Sequence, residues 1–256
     1  MASEASAISL RGKGVLISGG SRHLGEAVAR QMAALGGHIA VNHWQDGEQA
    51  EAVARDLTAR GTRAVALEAD VSRSDQVQSL VSHAVEAIGP IDVLVHCAGP
   101  FAMSPFAQMD EKEWDTILGV NLKAAYLLTQ AVAPVMKQRG WGRIILMSAG
   151  SAYIRTHSIY SVAKAAVITL TESLAVELGP EITVNAIAPG QIKESAAIMD
   201  TFEPGFSDKA TGAAPLKRLV TRTEVAELMG LICTSPAMQS ITGHTFVIDG
   251  GWRLTA

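Results

Sequence analysis

The sequence predicts an α/β fold built from βαβ units around a parallel sheet, and three observations carry that prediction. Short β-branched runs alternate with longer apolar stripes at helical spacing along the whole chain, the pattern of strands joined by crossover helices. The runs are mostly unbroken apolar stretches, as strands covered on both faces require. Glycines stand where the stripes stop, with Gly36 and Gly37 closing the first of them.

Six or seven strands can be counted, in order KGVLISG, GGHIAVNH, RAVALEAD, IDVLVHCAG, GRIILMS, ITVNAIAPG and TFVIDGG. Between the first two, Leu24, Ala27, Val28, Met32 and Leu35 recur at helical spacing, and Val77, Val81, Ala84, Val85 and Ile88 do so after the third. No internal repeat, low-complexity tract or linker divides the chain, so residues 1–256 are expected to form one domain. The irregular part is residues 193–218, a long mixed segment just after a strand. Segments in that position usually cover binding sites.

Composition narrows the function classes. The chain has 256 residues, 48% hydrophobic and 18% charged, with a formal charge of -4, which describes a soluble globular protein. A chain of this size buries roughly 70–75% of its unfolded surface, so it needs no staples. Cys97 and Cys233 are too few for a disulfide framework and sit in no metal-like cluster, so free thiols in a reducing cytosol are expected. The N-terminus lacks a signal-peptide core, and no segment approaches the ~18 uncharged apolar residues of a membrane span. These features place the chain in the cytoplasm. Twenty-one Lys and Arg against twenty-five Asp and Glu, without a basic block, argue against nucleic acid.

SGGSRHLG, residues 18–25, follows the first strand and opens the first helical stripe, the context of a dinucleotide-binding loop. Gly19 suits a turn with positive φ, and Gly25 lets the helix pack close to the strand. The helix N-terminus then offers free N–H groups and a favourable dipole to a pyrophosphate. His23 stands where a glycine is expected. NAD sites usually end the second strand with a carboxylate that binds the adenosine ribose, and here Asn42 and His43 stand instead. With no carboxylate to repel a 2′-phosphate and Arg22 available to pair with it, the loop favours NADP(H).

Tyr160 and Lys164 lie four residues apart at the start of a helical stripe, on one face. A free tyrosine has a pKa near ~10, and a lysine cation one turn away favours phenolate and so is expected to lower it, making Tyr160 a workable acid.

With these residues the chain resembles the short-chain dehydrogenase/reductase family from end to end. The family's glycine loop is similar to residues 18–25, its Asn-Asn-Ala-Gly strand end to His96, Cys97, Ala98 and Gly99, and its helix asparagine to Asn121. Its Tyr-x-x-x-Lys pair falls on Tyr160 and Lys164, its Pro-Gly on Pro189 and Gly190, and its terminal Asp-Gly-Gly on Asp249 to Gly251. The resemblance implies a doubly wound, Rossmann-like parallel sheet of about seven strands with helices on both faces. It implies that Tyr160 donates a proton to a carbonyl oxygen, that Lys164 holds the nicotinamide ribose, and that Asn121 anchors a proton-relay water. NADP(H) would rest on Gly19, Ser21, Arg22, His23 and Leu24 of the glycine loop, with Arg22 toward the 2′-phosphate, and on Asn42, His43, Asp70 and Val71 at its adenosine. Ala98, Gly99, Pro189, Gly190 and Ile192 would flank the nicotinamide end. Residues 111–139 and 158–179 would form long helices that pair across a two-fold axis in a homotetramer.

The departures set further expectations. The family's catalytic serine stands one residue further from the tyrosine than Ser148, at the position of Met147 here. Ser148, closing an apolar strand, is the expected donor to the substrate oxygen, with Ser151 in reserve. His96 and Cys97 replace two asparagines, and Glu194 replaces a threonine near the nicotinamide carboxamide, where Ser195 could substitute. His23 and Phe101 together resemble pteridine reductases, in which an aromatic residue stacks on a flat substrate. Met199, Phe202 and Phe206, with Phe101, Met103 and Phe106, suggest an apolar pocket with an aromatic wall. The expected activity is NADPH-dependent reduction of a small carbonyl compound, with 3-oxoacyl-acyl carrier protein reductases the commonest relatives. A pteridine or cyclic imine reductase is the alternative, and a non-catalytic NADP(H)-binding sensor or scaffold is a second.

Overall fold

Every apolar run becomes a strand. In the computed structural model, which describes residues 8–154 and 158–255, they are β1 Gly14–Ser18, β2 His38–His43, β3 Ala64–Glu68, β4 Ile91–His96, β5 Gly142–Met147, β6 Ile182–Pro189 and β7 Thr245–Ile248. They form one sheet in the order β3-β2-β1-β4-β5-β6-β7, with every neighbouring pair parallel. The chain winds outward from β1 to β3, then crosses back to β4. The order therefore reverses between β1 and β4, and a crevice opens at the carboxyl ends of those strands.

The crossover helices are α1 His23–Ala34, α2 Gly47–Ala59, α3 Ser74–Ile88, α4 Glu111–Leu118, α5 Ala124–Gln138, α6 Ile159–Leu178, α7 Ala196–Phe202, α8 Phe206–Ala213 and α9 Arg222–Thr234. Unbroken apolar strands serve two layers at once. Leu16 packs with Leu80, Leu128 and Val167 of α3, α5 and α6, while its neighbours Val15 and Ile17 pack with Val28, Met32 and Met229 of α1 and α9. Each such side chain is fully buried or nearly so, contributing roughly 1.5–3 kcal/mol.

Two expectations change. The apolar stripe over residues 111–139 is broken by a π-helical turn, Gly119–Lys123, between α4 and α5. The segment over residues 193–218 is more ordered than a mixed loop, forming a 3-10 turn at Lys193–Ser195 and then α7 and α8. At 20 residues and a mean hydropathy of 1.4, α6 is long and apolar enough to cross a membrane by length and composition, although Lys164, Glu172 and Glu177 interrupt it. In this fold Val167, Leu174 and Leu178 of that helix pack in the core beside the sheet.

Candidate active site

The glycine loop connects β1 to α1, and space dictates its residues. Gly19 has φ +66, and a Cβ there would meet Ala98 backbone atoms at 2.8 Å. At Gly25 a Cβ would run into the carbonyl of Gly19. His23 also adopts a left-handed backbone, φ 55, a region histidine visits more readily than most side chains. Its imidazole leaves the loop to meet Arg222 at the start of α9, with Nη2 3.1 Å from His23 Nδ1. Guanidinium only donates, so Nδ1 is the acceptor and the ring is neutral. Burial and the two neighbouring cations, Arg222 and Arg22, hold its pKa below the usual value.

The same Arg222 group reaches the Glu194 carbonyl at 3.1 Å and Ser195 Oγ at 3.2 Å. The Glu194 carboxylate accepts from the Arg222 backbone N–H at 3.1 Å, capping α9. His23 and Glu194, both departures from the family pattern, thus meet on one arginine that ties the glycine loop to the base of the 193–218 segment.

At the outer end, Asn42 Nδ2 donates to the Ala69 carbonyl at 3.0 Å, and His43 beside it is buried. Asp70 turns inward, accepting from Ser72 N–H and Oγ at 2.9 and 2.7 Å, and Val71 is buried below it. A carboxylate does stand here, contrary to the sequence expectation. Asp46 Oδ2 lies 3.3 Å from Arg22 Nη2 and accepts from Ser21 Oγ at 3.4 Å.

At the inner end, His96 replaces an asparagine without loss of hydrogen bonds. Its Nε2 meets the Val120 carbonyl at 3.0 Å and its Nδ1 meets Ser18 Oγ at 2.6 Å. A carbonyl only accepts, so Nε2 carries the proton and Ser18 donates to Nδ1. Ser18 Oγ in turn accepts from Ala98 N–H at 3.3 Å. Burial, with the Lys164 cation nearby, lowers the His96 pKa to about 3, so the ring stays neutral. Burial pushes the Cys97 thiol up to about 12.

The π turn delivers Asn121. Its Nδ2 donates to the carbonyls of Pro100 and Ile117 at 3.0 Å each, and its Oδ1 is buried without a hydrogen-bond partner among the described residues. A Cβ on Gly99 would strike that oxygen and lie 3.3 Å from Lys164 Nζ.

Tyr160 and Lys164 sit on the first turns of α6, which Ser158 caps by accepting from Ser161 N–H at 3.2 Å. Lys164 Nζ donates to the Met147 carbonyl at 2.8 Å and lies 5.4 Å from the Tyr160 ring centroid. Burial lowers Lys164 to about 8 and raises Tyr160 to about 12. The phenol is therefore not lowered as the four-residue spacing predicts; burial, which desolvates the phenolate, raises it instead. Ser148, buried at the end of β5, donates its hydroxyl proton to the Lys164 carbonyl at 2.8 Å.

Tyr160, Lys164, Ser148, Gly99 and Cys97 line one cavity of about 290 Å³. Phe101 meets Tyr160 edge-on at 4.9 Å and Phe202 at 5.6 Å, while Phe206 meets Trp252 at 5.7 Å. Met103, Met199 and Ser151 line it too, with Leu24, Pro189, Gly190 and Ile192 from the cofactor side. Phe106 is half exposed and does not line it. Trp252 escaped the sequence reading although it follows the Asp-Gly-Gly motif directly; Asp249 Oδ1 and Oδ2 hold that turn through Gly251 and Arg253 N–H at 2.8 and 2.9 Å.

The residues fit NADP(H). Gly19 and Gly25 leave a cradle that a Cβ would fill at the start of α1, and Asn121 Oδ1 is buried without a hydrogen-bond partner among the described residues.

Known proteins agree. A family model described as enoyl-(acyl carrier protein) reductase matches residues 19–253. A 3-oxoacyl-acyl-carrier-protein reductase from Staphylococcus epidermidis is 34% identical over 242 residues, covering 93% of this chain and 98% of its own. Among solved structures, a gluconate 5-dehydrogenase from Burkholderia cenocepacia J2315 in complex with NADP and tartrate superimposes with a TM-score of 0.87 at 28% identity, over 97% of this chain and 98% of that one. A blue fluorescent protein from a metagenomic library in complex with NADPH gives 0.85 at 29% identity, over 95% and 99%. The chain, an NADP(H)-binding oxidoreductase, belongs to the short-chain dehydrogenase/reductase family.

Proposed function

We propose that the chain reduces the ketone carbonyl of a small organic or acyl substrate to an alcohol, with Tyr160 as proton donor. The observation that carries this reading is the convergence of the buried, protonated Tyr160 and the Lys164 ammonium on one mainly apolar cavity, with Asn121 Oδ1, which has no hydrogen-bond partner among the described residues, behind its Gly99 wall. NADPH, when bound, supplies the hydride that adds to the carbonyl carbon. Tyr160 Oη gives its proton to the carbonyl oxygen, which becomes the hydroxyl, and Lys164 and Asn121 lead back to solvent to restore it. Phe101, Phe202 and the 193–218 segment cover the carbonyl and exclude water.

A second donor at the oxygen would stabilise its growing charge. Ser148 has its single proton on the Lys164 carbonyl, so we assign that role to Ser151, which lines the same cavity. The ketone reading is preferred to a pteridine one because the walls are aromatic and aliphatic, whereas a pterin's several polar edge atoms need matched partners. The sensor reading accounts for none of the Tyr160, Lys164 and Asn121 geometry.

Exposed Trp114, Tyr126, Val135, Val162 and Val176 on α4, α5 and α6 support a homotetramer, and composition supports a cytoplasmic location. Tyr160→Phe tests the chemistry. Turnover on a panel of ketones is expected to fall by 10²–10⁴-fold with NADPH binding retained. A wild type that binds NADPH yet turns over no ketone or imine would return the sensor reading.

A further inference from the structure

Asp46 stands at the N-cap of α2, yet its side chain takes none of that helix's N–H groups. An aspartate in this position ordinarily does, because the first N–H groups of a helix have no other partner. Here the carboxylate turns across to the glycine loop, where its partners are Ser21 Oγ at 3.4 Å and Arg22 Nη2 at 3.3 Å. Gln45, just before it, has a left-handed backbone with φ 62.

The cation it holds is the one that a phosphate on the adenosine ribose needs. Asn42, next to last in β2, has committed its amide to the carbonyls of Ala69 and His43 at 3.0 and 3.2 Å. The Arg22 side chain is 61% exposed even while paired with Asp46. A 2′-phosphate and the Asp46 carboxylate must share or contest this one guanidinium, and they repel each other across it. An unphosphorylated ribose brings no charge and leaves the pair intact.

We propose that Asp46 is a specificity-determining residue that weakens NADP(H) selectively and keeps the chain open to NAD(H) as well. The proposal rests on NADP(H) binding itself. Arg22 supplies the attraction for the phosphate and Asp46 subtracts from it, so the ratio of the two affinities is set by one ion pair on the loop.

Fluorescence titration of NADPH and NADH against wild type, Asp46→Asn and Arg22→Ala tests this, with thermal melts of each ligand-free variant to confirm folding. Asp46→Asn is expected to tighten NADPH on the order of tenfold, the scale of one charge facing a phosphate dianion near the surface. NADH should stay within twofold. Arg22→Ala should weaken NADPH and spare NADH. An Asp46→Asn protein that binds NADPH no more tightly than wild type overturns the proposal. So does one that loses NADH affinity tenfold, since Asp46 would then be a ligand of the ribose hydroxyls. A wild type that does not bind NADPH at all would instead strike at the cofactor.

Discussion

Ser148 and Lys164 hold one another in both directions: the Ser148 hydroxyl donates to the Lys164 carbonyl at 2.8 Å, and Lys164 Nζ donates to the carbonyl of Met147, one residue before Ser148, at 2.8 Å. The end of β5 is thereby clipped to the helix that carries Tyr160. A serine used as a clip must give up that bond before it can offer the same proton to a substrate.

Ser148→Ala is therefore expected to lose less than tenfold in kcat and roughly 2–4 °C in Tm, the scale of one hydrogen bond in a chain of this size. Ser151→Ala should lose on the order of 10²–10³ in kcat with NADPH binding unchanged. Steady-state kinetics on the two variants decide the matter, and the opposite ranking gives the role to Ser148.

Gly99→Ala places a methyl group against Asn121 Oδ1 and near Lys164 Nζ. Asn121 cannot yield easily, since its amide is tied to the carbonyls of Pro100 and Ile117. Expected results are a loss of at least a hundredfold in turnover and a drop in Tm, read by melting and by kinetics on the same preparation. Normal activity in Gly99→Ala would mean that Asn121 is free to move.

Burial of Lys164 makes stability depend on pH. Between about 8, its value in the folded chain, and its ordinary 10.5, the unfolded chain holds a proton that the folded chain does not. Stability rises with pH across that window, and the full cost of burying the cation is felt below it. Tyr160 acts oppositely above pH 10, since only the folded chain keeps its proton up to about 12. In urea unfolding, wild type should gain about 2 kcal/mol on Lys164→Met between pH 7.5 and 9.5. A difference that does not change with pH would show that Lys164 titrates normally.

The strands were legible because a strand buried on both faces has no polar position to interrupt it, as in residues 91–96 and 142–147. Tyr160 and Lys164 were legible because a helix brings residues four apart together. What escaped depends on contacts between distant parts of the chain. The direction of the Ser148 hydroxyl is decided by a helix carbonyl sixteen residues on, and Asp46 meets the glycine loop twenty-five residues after Ser21. The tyrosine's pKa went the other way because spacing reports the lysine but not the desolvation around both groups. The π turn left no mark because GVNLKAA continues an apolar helical pattern; the widening shows only where Asn121 reaches back to Ile117.

That turn also fixes the length of its part of the chain. An α-helix advances about 100° per residue, and a π turn absorbs one extra residue within a helix. Upstream of it Ile117 packs on α6 beside Ile159 and Ala163, and downstream Leu128, Val132 and Met136 pack on the sheet. Removing a single residue from 119–123 would turn the bulge into regular α-helix, keeping both seams in phase but erasing the widened turn on which Asn121 sits. The 193–218 segment carries no such turn. Variation in chain length among relatives of this protein should therefore collect in that segment and be absent from the turn that carries Asn121.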